Sequence, residues 1–229
     1  MKTQKKTRYE PVALPARAPL RPDDAKRQAN DFFTQMSQRH SIRDYADKDV
    51  DEELIHTAIM TAARAPSGAN QQPWHFVAIR NAKMKQKIRE AAEAEETAFY
   101  DGGGGDEWLA ALEPIGTGPD KPHLTKAPWL IVVFAQRYGL TKNGSRYKHY
   151  YVPESVGIAT GILVTALHNC GLSCLIHTPN PMSFLNELCN RPQNEKPVMI
   201  IPVGHPADRA VIPKASLYKK PKAEILSVF

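Results

Sequence analysis

The sequence predicts a mixed α/β layer: a small sheet flanked by helices, in one domain. Three observations carry this. Segments of helical period alternate with short apolar runs, the connections between them vary widely in length, and 42% of the 229 residues are hydrophobic, enough for a sizeable core. Neither GxGxxG nor GxxxxGK[ST] follows the first apolar run, so a dinucleotide fold or P-loop is not indicated.

Residues 1–22 carry Pro11, Pro15, Pro19 and Pro22 without an apolar period and read as an extended or disordered arm, leaving 23–229 as the domain. Residues 23–39 are helical in pattern, with Phe32, Phe33 and Met36 on one side. Residues 51–64 form a strong amphipathic helix: Leu54, Ile55, Ala58, Ile59 and Ala62 recur at helical spacing, and Asp51, Glu52 and Glu53 suit its N-terminus. After the loop APSGANQQP, Trp74–Ile79 reads as a strand. Residues 83–99 are helical and heavily charged. Residues 101–122 contain GGGGD and GTGPDKP and read as a mobile stretch with one short helix. The run WLIVVFA at 129–135 is a buried strand, and 153–169 an apolar helix. Residues 172–176 and 198–203 complete about four strands, with a short helix at 182–189 between them.

The net charge of +6 invites a nucleic-acid reading, but much of the excess lies at the two ends, from Lys2 to Arg21 and from Lys214 to Lys222. Such runs are usually solvated, and no zinc-finger spacing or RNA-binding aromatic signature accompanies them, so no nucleic-acid partner is expected. No apolar run approaches the roughly 18 residues a membrane helix needs, and no secretory signal is evident; a soluble cytoplasmic protein without a membrane partner is expected. Cys170, Cys174 and Cys189 are odd in number and lack CxxC spacing, so they read as free thiols and no metal site is expected.

Five groups could carry chemistry. In Arg39-His40-Ser41-Ile42-Arg43, two guanidiniums and a hydroxyl suit an anion, although Arg39 also simply fits a helix C-terminus. The loop Pro66-Ser67-Gly68-Ala69-Asn70 could present backbone N–H groups to a ligand, or be a plain turn. Glu96 and Tyr100, four residues apart, share a helix face, and Lys121 follows. Carboxylate, phenol and ammonium could clamp a zwitterion; a solvated acidic face is the competing explanation. His177-Thr178-Pro179-Asn180 ends a strand, where ligands or ordinary turns are found. His149-Tyr150-Tyr151 reads as packing, and His123, Trp74 and Trp108 give no separate signal.

The order of these groups is more telling than any one of them. Arg-His-Ser-Ile-Arg, then AlaProSerGlyAlaAsn with ProTrp, then Ala127-Pro128 opening an apolar strand, resembles the flavin-dependent nitroreductase family. Glu96, Tyr100 and Lys121, with LysHisTyrTyr at 148–151, HisThrProAsn at 177–180 and ProValGlyHisPro at 202–206, narrow the resemblance to its halotyrosine-dehalogenating branch. It runs from about residue 30 to the C-terminus.

The resemblance implies an α+β nitroreductase-like fold, a small mostly antiparallel sheet flanked by helices, in an intertwined homodimer with FMN at the interface. It implies that Arg39, His40, Ser41 and Arg43 contact the FMN phosphate and ribityl chain, that Pro66, Ser67, Ile176 and His177 line the flavin, and that Lys219 reaches it near the C-terminus. Thr178 matches the position whose hydroxyl donates to flavin N5 and is the expected catalytic residue. The Ala69 N–H would receive the substrate phenolate, while Glu96, Tyr100 and Lys121 would grip the amino-acid zwitterion under a lid formed by residues 100–121. The implied reaction is reductive dehalogenation of a 3-halotyrosine to tyrosine and halide. The alternative is a broad NAD(P)H-dependent nitroreductase or flavin reductase acting on nitroaromatics or quinones. Two residues depart from the branch: His40 stands where a second Arg is usual, and Lys219 where an Arg is common.

Overall fold

A computed structural model describes residues 9–229; the first eight residues of the expected arm lie outside the described residues. The chain divides into two compact units, Met1–Ser37 and Gln38–Phe229. In the first, residues 9–21 have no regular structure and α1 spans Pro22–Ser37. Proline at its first position and Asp23 and Asp24 in its first turn suit a helix N-terminus.

The second unit begins with α2 (Glu52–Ala62), capped where the Asp51 carboxylate accepts the Glu53 N–H. β1 (Trp74–Ile79) leads to α3 (Ala82–Ala98), capped by Asn81. α3 runs on into one wide π-type turn, Phe99–Gly103. Then come α4 (Asp106–Leu112) and the short α5 (His123–Lys126), ahead of β2 (Trp129–Gln136). A hairpin of β3 (Tyr138–Leu140) and β4 (Arg146–Lys148) precedes α6 (Val152–Asn169). β5 (Ser173–Cys174), α7 (Phe184–Leu188), β6 (Glu195–Gly204) and α8 (Lys222–Ile225) complete the order.

The main sheet has strand order β1-β2-β6-β5, and every ladder in it is antiparallel. β2 lies in the middle and is buried on both faces, which is why its sequence is continuously apolar. Its alternate residues divide the core. Trp129, Ile131 and Val133 pack with Ile55 and Ala58 of α2 and with Val156, Ala159 and Leu163 of α6. Leu130, Val132 and Phe134 pack on the other face with Ile88 and Ala92 of α3 and with Leu124 and Leu185. Each of the Val, Leu, Ile and Phe side chains contributes about 1.5–3 kcal/mol on burial, so the sheet is a stiff platform between two helical layers.

Two differences from the sequence expectation bear on the site. The strand expected at 172–176 is only two residues long as a ladder, but it stays registered: the His177 N–H donates to Ile200 O at 2.9 Å and the Ile200 N–H to His177 O at 2.8 Å. The β3–β4 hairpin was not expected. Its strands are three residues each, too short for a visible alternation, although its Asn143-Gly144 turn, with Gly144 at φ 81°, is a hairpin signal.

Candidate active site

The pinned strand end after β5 is one wall of a cavity of about 440 Å³. Leu175, Ile176, His177, Thr178, Asn180 and Pro181 form that wall. The end of α3 and its π-type turn supply Glu95, Glu96, Phe99 and Tyr100. Trp108, Leu112 and Ile115 give an apolar side, and Lys121, His123 and Arg43 complete the lining.

Inside, the charges are paired. Lys121 Nζ lies 2.9 Å from Glu96 Oε2, and Lys121 is only 3% exposed. The ammonium also reaches Thr117 Oγ1 at 3.3 Å and lies 5.5 Å from the centre of the Tyr100 ring. The Tyr100 hydroxyl donates to the same Thr117 oxygen at 3.3 Å. A carboxylate, an ammonium and a phenol thus meet at one point, two of them from the α3 end and one from the segment before α5.

That segment is held by a second network. The Lys121 N–H donates to Glu93 Oε1 at 2.7 Å, and Arg89 bridges Glu93 and Asp120, both at 2.7 Å. Lys85 Nζ donates to Ala127 O at 2.6 Å and Thr125 O at 3.2 Å. Lys85, Arg89 and Glu93 follow one another at four-residue spacing, one face of α3, and so staple the α5 region to it.

Two buried histidines stand behind the clamp. The rings of His123 and His177 meet edge-on, 5.5 Å between centres. His177 Nδ1 is 3.9 Å from Glu96 Oε1. Burial, then the neighbouring Lys121 and Arg43 charges, push His123 down to about 4. Burial, with His123, Lys121 and Arg43 beside it, pushes His177 down to about 3. Both are therefore neutral at physiological pH.

Of the residues singled out in the sequence, Arg43, Glu96, Tyr100, Lys121, Ile176, His177 and Thr178 line this one cavity. Arg39, His40 and Ser41 lie beside it in the fold: Ser41 bridges Cys174 in parallel, and the Ile42 N–H donates to Cys174 O at 3.2 Å. The phosphate-suited segment thus runs along the outer edge of β5, a few residues before Thr178. Pro66, Ser67 and Ala69 are not among the lining residues; their loop packs toward α6. The Ser67 hydroxyl accepts the Gln72 N–H at 2.9 Å, and Ala69 has a left-handed φ of 50°. Lys219 is exposed, its ammonium donating to Ser216 O at 2.6 Å. His123, Thr117 and the Arg89–Glu93 pair had no sequence signal, because only the packing of α3 against α5 gives them a role.

The cavity fits a flavin mononucleotide chemically. Arg43 offers a forked donor to phosphate or carbonyl oxygens, Arg39 and Ser41 lie along the adjoining edge, and Thr178 presents an exposed hydroxyl on a fixed strand end.

Fold and site together define a class. Residues 36–205 match the nitroreductase family, and the chain belongs to that family. More specifically, it is 42% identical to iodotyrosine deiodinase of Haliscomenobacter hydrossis, over 97% of this chain and all of that one. It is 38% identical to iodotyrosine deiodinase 1 of Homo sapiens, over 87% of this chain and 69% of the human protein. It also superposes, with a TM-score of 0.70 and 30% identity, on a crystal structure of oxidized iodotyrosine deiodinase bound to FMN and 3-iodo-L-tyrosine, covering 86% of this chain and 98% of that one.

Proposed function

We propose that this protein is an FMN-dependent halotyrosine dehalogenase that reduces 3-iodotyrosine and related halotyrosines to tyrosine and halide. The observation that carries the reading is the meeting of Glu96, Tyr100 and Lys121 in the cavity that Thr178 and Arg43 also line. A broad nitroreductase has no use for a buried carboxylate–ammonium pair beside its flavin, whereas an amino-acid zwitterion needs both charges. The resemblance to iodotyrosine deiodinases over almost the whole chain supports the same conclusion.

The chemistry that bound, reduced FMN supplies is two-electron cleavage of the carbon–halogen bond. The protein residues supply placement. Arg39, His40, Ser41 and Arg43 would hold the phosphate and ribityl end, and Pro66, Ser67, Ile176 and Lys219 would shape the flavin pocket. The Thr178 hydroxyl, on the cavity wall, would donate to the flavin. Glu96 takes the substrate ammonium, Lys121 its carboxylate, and Tyr100 orients Lys121. The Ala69 N–H receives the phenolate, a fixed donor aimed at developing charge. Trp108, Leu112 and Ile115 give the cavity an apolar side against which the substrate ring would lie.

The working form is a homodimer. Pro66, Ser67, Ala69 and Lys219 lie outside the cavity of a single chain, and α6 leaves Gly157, Ile158 and Gly161 uncovered on an otherwise apolar helix. No helix among the described residues is long and apolar enough to cross a membrane. Cys170, Cys174 and Cys189 are all free, which fits a reducing, cytoplasmic setting.

The decisive experiment follows the quenching of bound-FMN fluorescence by 3-iodotyrosine. The wild type is expected to bind, and Glu96→Gln and Lys121→Gln to lose affinity at least about tenfold, the scale of a lost charged hydrogen bond, while still holding FMN. Absence of quenching in the wild type would overturn the reading.

A further inference from the structure

We propose that His177, braced by His123, is a positioning residue for Glu96, and through it sets how tightly the pocket holds the amino-acid end of its substrate. The inference rests on the zwitterion reading of the pocket. It moves His177 from the flavin side, where the family resemblance put it, to the substrate side.

The argument begins with Glu96. One of its oxygens, Oε2, is occupied by Lys121 at 2.9 Å. The other, Oε1, faces His177 Nδ1 at 3.9 Å, too far for a hydrogen bond but within a small ring rotation of one. When a zwitterion enters, its carboxylate draws on Lys121, and Glu96 turns to the ammonium. The ammonium takes one carboxylate oxygen, and the other, still buried, needs a donor of its own. Nδ1 of His177 is the group beside it. Such contacts are commonly long without ligand and tighten once it binds.

The role requires the tautomer with its proton on Nδ1, the ring nitrogen that faces the Glu96 carboxylate. The His177 backbone is hydrogen-bonded to Ile200 in both directions, and His123 packs edge-on against its ring, so the ring stays beside the carboxylate. The neutrality of His177 also matters. A charged imidazolium would pair with Glu96 and compete with the incoming ammonium, whereas a neutral ring donates a hydrogen bond and leaves the negative charge available.

The test uses the FMN-loaded protein and two ligands, 3-iodotyrosine and 2-iodophenol, which lacks the amino-acid end. His177→Val removes the donor; His177→Asn keeps an N–H at the Nδ1 position. Binding is read by flavin fluorescence quenching. The expected result is about a tenfold loss of 3-iodotyrosine affinity in His177→Val, recovery in His177→Asn, and unchanged affinity for 2-iodophenol and FMN. Should His177→Val fail to hold FMN, His123→Ala decides: a weaker loss confined to 3-iodotyrosine supports the inference. Equal loss for both ligands, or no loss for 3-iodotyrosine, overturns it. Failure of the wild type to bind 3-iodotyrosine overturns the pocket assignment itself, and this inference with it.

Discussion

At the scale of single residues, the site is governed by what burial does to charge. Glu96 and Lys121 lie in a nearly closed space and satisfy each other, since one buried charge alone would be far more costly than the pair. His123 and His177 meet the same environment by giving up their protons. That choice has a consequence for stability. In the unfolded chain both histidines titrate near the ordinary 6.5, but in the folded chain at about 4 and about 3. Between those limits the unfolded state binds protons that the folded state refuses, so stability falls as pH drops below about 6.5, by up to about 1.4 kcal/mol per pH unit for each histidine. His123→Phe, which keeps an edge-on ring, is expected to flatten the decline between pH 6.5 and 4. Urea unfolding of both proteins across that range checks it, and parallel pH slopes would refute it. The sequence named Glu96, Tyr100 and Lys121, but Tyr100 came with the wrong local reason. It lies in the π-type turn beyond α3 rather than in the helix itself, and the turn still delivers its hydroxyl to Thr117.

At the scale of elements, short connections place the chemistry and long elements hold it still. The loop at 66–72 shows this. It combines positive φ at Ala69, Asn70 and Gln72 with a close approach of Gly68 to the chain before α6. A Cβ on Gly68 would lie 2.5 Å from the Tyr150 carbonyl oxygen, which is backbone and cannot yield cheaply. Gln71 fastens the same contact, its amide donating to Lys148 O at 2.8 Å and accepting the Tyr150 N–H at 2.9 Å. Gly68→Ala is therefore expected to lower stability by about 1–3 kcal/mol, as overpacking does, and to weaken FMN retention by moving Ser67 and Ala69. Denaturant unfolding and FMN titration measure the two effects, and a variant matching the wild type in both would contradict this account. The glycine was visible in the sequence as a turn residue. Its reason was not, because the Tyr150 carbonyl it must admit lies 82 positions away.

At the scale of the whole molecule, the sheet and its two helical layers build one side of a site whose remaining residues face outward. Ile158 on α6 is 46% exposed between Gly157 and Gly161, which leave open space above the helix. If a second copy packs there, Ile158→Arg is expected to turn a dimer into a monomer and to loosen FMN together with it. Sedimentation velocity decides, and a wild type that sediments as a monomer would remove the dimer from the proposal. The sequence by itself determined the helices α2, α3 and α6, the central strand β2 and the likeness in order of the ligand-suited groups, because hydrophobic period and local turn chemistry are written in neighbouring residues. It also singled out the trio that discriminates the function. Only the tertiary structure decided that Arg43 and Thr178 share a cavity with Glu96 and Lys121, and that His123, which had no local signal, stands with His177 behind the clamp. Those facts depend on contacts between residues far apart in the chain, set by how the layers pack, and no local pattern encodes them.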